Sequence, residues 1–190
     1  MSLPGSIRLK SLTKIGEGIQ GKVYLIDAER CVKIYKKTKY FHRELECLKM
    51  GAGEAFFPKI IEVGDEFIIR EYIPGLELNK HLKNHPLTAT IAQQLLDLFH
   101  CLERLHFRRL DVRLDHIILT PEGNLRLIDP ANLMHMREDY PKRMLKGLDE
   151  VGCRDEFLAY VDVREPKLAM LWRYRAKISN IQQEQAFSHR

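Results

Sequence analysis

Residues 105–133, LHFRRLDVRLDHIILTPEGNLRLIDPANL, constrain this chain more than any other stretch. They read as the end of a helix, a polar loop, a short strand, a tight turn and a second short strand. The strands, 117–119 and 125–128, flank Thr-Pro-Glu-Gly-Asn, a turn with proline early and glycine late. Asp111 lies in the loop before the first strand, and Asp129 directly follows the second. Such a hairpin predicts two carboxylates held over one cleft, the arrangement that a metal–nucleotide site requires.

Upstream, residues 7–15 alternate apolar and polar and predict a half-buried strand. Gly16, Gly18, Gly21 and Val23 then form a complete G-x-G-x-x-G-x-V, after which the strand pattern resumes. A dinucleotide fingerprint needs a helix at that point, so this is a strand–turn–strand whose glycines let backbone N–H groups approach phosphate oxygens. Taken alone, the glycines are equally compatible with a flexible hairpin. Residues 31–35 predict another strand, with Lys33 between Val32 and Ile34; on that pattern alone a solvated strand lysine is the commoner reading and a phosphate ligand the rarer.

Residues 37–50 carry a helical period, with Phe41, Leu45 and Leu48 on one stripe and Glu44 and Glu46 on different faces. Gly51–Gly53 end that helix. Residues 60–63 and 66–72 predict a hairpin leading into Arg70-Glu71-Tyr72-Ile73-Pro74-Gly75. Beyond Pro74 the helical period dominates: 76–83, a long helix capped by Thr88 and ending at His106, then 140–148, 155–161 and 166–185. On the last of these, Leu168, Leu171, Trp172, Arg175, Ile178 and Ile181 are expected along one side.

The order of these parts resembles the protein-kinase-like superfamily over about residues 9–133. Arg109-Leu110-Asp111 stands in place of the family's catalytic-loop H-R-D, and Asp129-Pro130-Ala131 in place of D-F-G. The absence of A-P-E and of a long activation segment is similar to minimal, RIO-type kinases. The resemblance implies an α+β, bilobal kinase-like fold: an N-lobe, 1–73, of small antiparallel sheet and one helix, and a reduced helical C-lobe, 74–190. It implies ATP as cofactor with Mg²⁺, or Mn²⁺. Gly16, Gly18, Gly21, Val23, Cys31 and Lys33 would line the nucleotide, with Lys33 positioned by Glu44, or by its rival Glu46. Backbone groups of Glu71 and Ile73 would meet the adenine edge. Glu77 would hold the ribose, or else stand solvated near a helix start. Asp111 would take the proton from an acceptor hydroxyl, Arg113 would neutralise the transferring phosphate, and Asp129 would bind the metal. His116 replaces the family's metal-binding Asn, and imidazole suits Mn²⁺ better than Mg²⁺.

The implied activity is phosphoryl transfer from ATP to a hydroxyl, as a minimal serine/threonine kinase. The alternatives are a small-molecule phosphotransferase similar to aminoglycoside and choline kinases, and a nucleotide-binding pseudokinase scaffold. Retention of the glycines, Lys33, Asp111 and Asp129 argues against the scaffold. The net charge of +5 concentrates nowhere enough to argue nucleic acid. No long uncharged apolar run argues a membrane span, and residues 1–5 lack the apolar core of a secretion leader. Four scattered cysteines without a C-x-x-C pair fit reduced thiols in a cytoplasm.

Overall fold

A computed structural model describes residues 8–134 and 137–187, with side chains to residue 178. The chain forms two compact units. One comprises Met1–Leu76 with Ile118–Met136, the other Glu77–Ile117 with Arg137–Arg190.

The first unit is built on five strands: β1 (Thr13–Glu17), β2 (Gly21–Leu25), β3 (Arg30–Tyr35), β4 (Ile60–Val63) and β5 (Phe67–Glu71). They pair antiparallel in the order β1-β2-β3-β5-β4. Side chains alternate across a strand, so each residue of β3 belongs to one of two environments. Val32 shares a face with Phe67 and Ile69, joined by Leu12, Tyr24, Ile26 and Ile34. Tyr35 shares the other with Ile68 and with Phe41 and Leu48 of α1 (Thr38–Met50). Cys31 and Lys33 lie on that second face by the same alternation, and in register Cys31 stands opposite Arg70 and Lys33 opposite Ile68. α1 ends at Gly51, where any Cβ would run into the Phe57 ring at 2.3 Å.

Of the stretch 7–15, residue 7 lies outside the described residues, and residues 8–15 do not form one strand. Leu9–Ser11 make a 3₁₀ turn and β1 begins only at Thr13. The Ser11 N–H and hydroxyl both donate to the Arg8 carbonyl, a local closure that competes with strand pairing.

A second sheet pairs β6 (Leu76–Glu77), β7 (Ile117–Leu119) and β8 (Leu125–Leu127) in that order. Residues 76–83 are therefore not a single helix: the stretch starts as β6, and α2 covers only Leu78–Leu82. Gly123, at φ +84, closes the β7–β8 turn with its N–H on the Thr120 carbonyl at 2.9 Å. The hairpin is fastened to the five-stranded unit. Leu127 N–H donates to the Phe56 carbonyl at 2.7 Å, and the Arg126 guanidinium forks onto both Glu71 carboxylate oxygens at 3.2 and 2.7 Å. Gly75, at φ +142, passes so close to β7 that a Cβ would lie 2.3 Å from the Leu119 carbonyl oxygen.

The second unit is helical: α2, α3 (Ala89–Arg104), α4 (Lys142–Glu150), α5 (Arg154–Arg164) and α6 (Pro166–Phe187). The Thr88 hydroxyl caps α3 by accepting the Ile91 N–H at 3.2 Å. Leu95, Leu98, Phe99 and Leu102 of α3 are buried. Trp172 of α6 is fully buried, edge-on to Phe99 at 4.8 Å and stacked on Phe157 at 6.1 Å. α6 buries Ala169 and Trp172, whereas Leu171 is 44% exposed, so as far as residue 178 its inward side is narrower than the expected stripe; Ile181 lies outside the described side chains. Among the described residues no helix is long and apolar enough to cross a membrane.

Two outcomes test this packing. Trp172→Ala is expected to cost about 3–5 kcal/mol in denaturant unfolding, the range for deleting a buried aromatic. For Glu71, burial works to raise the carboxyl. The Arg126 hydrogen bond and the Lys59 N–H outweigh it and hold the group below the ordinary glutamate value of 4.5. A depressed carboxyl stabilises above its unfolded value, and that stabilisation disappears as pH falls through the folded value. Glu71→Gln should thus lower stability by about 1.5–3 kcal/mol near pH 7. The gap to the unmodified protein should close on acidification below 4.5.

Candidate functional site

The glycine turn joins β1 to β2. Gly18 N–H donates to the Gly21 carbonyl at 3.0 Å, and Lys36 donates to the Gly18 carbonyl at 2.9 Å. The glycines have different reasons to be there. At Gly21 a Cβ would sit 2.1 Å from the Ile34 carbonyl, so the approach of β3 excludes any side chain, whereas nothing lies within 4 Å at Gly18. Gly18 thus leaves open backbone at the tip, beside an Ile19 that is 83% exposed. Val23 pairs directly with Lys33 across β2 and β3.

Lys33 is 5% exposed and Glu44 wholly buried. Their side chains form a close ion pair through Glu44 Oε2, while Glu46 is exposed, which decides between the two glutamates as the partner of Lys33. Lys33 Nζ also stands 3.5 Å from Asp129 Oδ1 and 3.5 Å from Gln20 Oε1 of the glycine turn. Arg70 completes the group. It is 5% exposed, and its Nη1 lies 3.3 Å from Glu44 Oε1, an ion pair without hydrogen-bond alignment. Burial works to lower the Arg70 guanidinium, but the charge of Glu44, then Cys31, Tyr35 and Asp129, carries it above its ordinary value. Burial and the Glu44 charge push the Tyr35 hydroxyl far up, and burial raises the Cys31 thiol. Two cations and two carboxylates thus share one face of the sheet.

The segment after β5 is tied down at several points. Glu71 N–H donates to the Lys59 carbonyl at 2.9 Å, and its own carbonyl receives the Cys31 thiol at 3.8 Å. Ile73 is 8% exposed. Glu77 is half-buried and bonded to Lys80 at 2.8 Å.

In the helical unit, the Asp111 side chain is fully enclosed. Oδ2 accepts from Arg109 Nη2 at 2.8 Å, and Oδ1 from the backbone N–H of Arg143 in the first turn of α4. Residues 108–110 run beside Glu138: Leu110 N–H donates to the Glu138 carbonyl at 2.7 Å, and Glu138 N–H to the Arg108 carbonyl at 3.0 Å. Burial, then the nearby Asp111 charge, raises the Glu138 carboxyl. Arg113 forks onto Asp115 at 2.8 and 2.6 Å, and that contact holds the Asp115 carboxyl below its usual range. His116 ends the 3₁₀ turn Leu114–His116.

A divalent metal fits one of these carboxylates better than the others. Asp129 Oδ1 is buried without a hydrogen-bond donor, an oxygen suited to a hard cation that takes one or two carboxylates together with phosphates. Both Asp115 oxygens already accept from Arg113. Among the described residues no three His, Cys, Asp or Glu side chains gather around a common point.

The residues that sequence reasoning passed over are arginines. Arg70 was legible, because two-residue alternation puts it on the face of Lys33. Arg143 stands 32 positions from Asp111 and carried no signal.

No family model matches the chain. It is 30% identical over 130 residues to YrzF of Bacillus subtilis (strain 168), named as a candidate serine/threonine-protein kinase; that alignment covers 64% of this chain and 60% of YrzF. It is 27% identical over 177 residues to the serine/threonine-protein kinase STE20 of Eremothecium gossypii, covering 81% of this chain and 18% of STE20. Among solved structures, WbdD in complex with the kinase inhibitor LY294002 matches at a TM-score of 0.53 and 17% identity, over 77% of this chain and 36% of that one. The chain therefore spans three fifths or less of each of these proteins. Its fold is α+β and kinase-like, and its sequence is distantly related to serine/threonine kinases.

Sharing of Glu44 by two cations has a measurable signature. Breaking a buried pair costs about 3–5 kcal/mol when a charge is left alone. Lys33→Met leaves Glu44 with Arg70, and Arg70→Met leaves it with Lys33, so each single loss should fall below that range. The double variant should lose more than the sum of the singles, by about 0.5–3 kcal/mol in urea unfolding. Additive losses would mean that Glu44 answers to only one of them.

Proposed function

We propose that this chain is an ATP-dependent phosphotransferase that passes the γ-phosphate of ATP to a hydroxyl, as a minimal serine/threonine protein kinase. The observation that carries the reading is the Lys33–Glu44 pair set 3.5 Å from Asp129, beside an open glycine turn. The distant kinase relatives and the kinase-like fold support it.

In this reading the Gly16–Gly18–Gly21 turn, with Val23 and Cys31, covers the nucleotide with backbone N–H groups. Backbone groups of Glu71 and Ile73 receive the base, and Glu77 the ribose. Lys33, oriented by Glu44, neutralises the α/β-phosphates. Asp129 would hold Mg²⁺ or Mn²⁺ through the oxygen that has no hydrogen-bond donor; the metal, when bound, would supply positive charge to the phosphates. Phosphoryl transfer needs such alignment and charge more than covalent help. Asp111 accepts the proton of the acceptor hydroxyl and Arg113 steadies the transferring group. His116 stays outside this set, since its imidazole is poorly matched to Mg²⁺. The acceptor is a serine or threonine side chain. The four cysteines are all buried and scattered along the sequence, which supports a reducing, cytoplasmic setting.

Two measurements test this. ATP with Mg²⁺ or Mn²⁺ should raise the melting temperature, with a stabilisation of about 2.7 kcal/mol at a hundredfold excess over Kd. Asp129→Asn should abolish the metal-dependent part. In labelled-ATP transfer, Asp111→Asn should lose about 10²–10⁴-fold in turnover while keeping the nucleotide stabilisation. Failure of either metal to give stabilisation would overturn the reading.

A further inference from the structure

The helical unit contains a cavity of about 340 Å³ whose lining, Arg113 apart, has no part in the proposed transfer. One face of α4 lines it. Arg143, Lys146 and Glu150 recur at three and four residues, as side chains on one helix face must. Gly147, also on that face, lets α4 settle onto the turn at Leu114, where a Cβ would already press the Leu114 side chain at 3.0 Å. Arg113 and Asp115 face α4 across the cavity, and Asn79 of α2 joins them.

The cations in this lining are not equally committed. Arg113 is bound through two nitrogens to Asp115. Lys146 stands a loose 3.8 Å from Glu150, and both are mostly exposed. Arg143 has no carboxylate of the cavity within ion-pair distance among the described residues. Its Nε lies 3.8 Å from Asp111 Oδ2, and its side chain is half-exposed. Asn79 Oδ1 is buried without a hydrogen-bond donor. The lining therefore offers a guanidinium held only loosely by Asp111, a loosely held ammonium and an unfilled acceptor. An acidic peptide, with its carboxylate and its backbone N–H groups, complements all three.

We propose that this cavity is the acceptor-selecting site, and that it takes a serine or threonine peptide bearing Asp or Glu next to the hydroxyl residue; this rests on the phosphotransferase reading above. The spacing sets the position. The guanidinium that meets the acidic side chain is 3.8 Å from the carboxylate that meets the hydroxyl, about the reach of one extended residue. Arg143 then has two roles. Its backbone N–H keeps Asp111 in place, and its side chain flanks Oδ2 beside Arg109 until an acidic acceptor draws it away. Because Asp111 is otherwise fully enclosed, an acidic acceptor uncovers the group it needs.

The test uses the full chain and three ten-residue peptides with one serine, flanked by aspartate, alanine or lysine. By fluorescence anisotropy the aspartate peptide should bind at least tenfold more tightly than the alanine peptide, and the lysine peptide most weakly. Arg143→Ala keeps the backbone N–H and should remove that preference; Arg143→Lys should restore part of it. In ATP transfer, Arg143→Ala should raise the KM for the aspartate peptide about tenfold and bring the aspartate-to-alanine ratio of kcat/KM near one. Equal binding of the three peptides, or loss of turnover in equal proportion for all of them, would overturn the proposal. The anisotropy arm reports on the cavity even without transfer. A chain that binds the aspartate peptide selectively but shows no nucleotide stabilisation would instead sink the phosphotransferase reading and leave a peptide-binding site.

Discussion

Lys33, Glu44, Arg70 and Asp129 place two positive and two negative charges on one largely dry sheet face. Removing such groups from water costs several kcal/mol per ion unless each finds its opposite. That requirement reaches outward through the first unit. β3 and β5 must pair in the register that sets Cys31 against Arg70. α1 must turn Glu44 inward along with Phe41 and Leu48. The β7–β8 hairpin must bring Asp129 to the sheet, which the Arg126–Glu71 fork helps it do. Hydrophobic packing stabilises the unit, but charge balance selects which of many similar packings it adopts.

The helical unit answers a comparable demand with hydrogen bonds. Asp111 is enclosed and meets it with Arg109 from its own loop and an N–H from the start of α4. The strand-like pairing of residues 108–110 with Glu138 keeps that loop extended where a helix has just ended. The left-handed His106, at φ +57, makes the turn between the two. An acidic side chain in a helical unit thus has its surroundings set by pieces of chain about thirty residues apart.

Much of the first unit was legible because its signals are local. The strand pattern resuming after the glycines, the stretch 31–35 and the hairpin at 60–63 and 66–72 located β2, β3 and β5, the helical period gave α1 and set Glu44 apart from Glu46, and Thr88 announced α3. The 3₁₀ turn at Leu9–Ser11 was missed because a serine bonding back to Arg8 leaves the apolar–polar alternation intact. The β6 start of residues 76–83 was missed because a two-residue strand depends on its partner, not on its own sequence. Arg70 was legible by strand parity, yet it reads first as the flank of a connecting segment. The N–H that caps Asp111 belongs to the backbone and leaves no trace in residue type.

The first unit is assembled from two lengths of chain separated by Glu77–Ile117. On a ribosome the five strands and α1 emerge first, with Glu71 still lacking Arg126 and Lys33 still lacking Asp129. At about 5–20 residues per second, that interval lasts several seconds. During it the nascent sheet has Arg70 and Lys33 both leaning on the lone carboxylate of Glu44, an unbalanced state with surplus positive charge. Arrival of the hairpin both closes the first unit and corrects the charge, so this face of the sheet is balanced only once the chain has been made as far as Asp129.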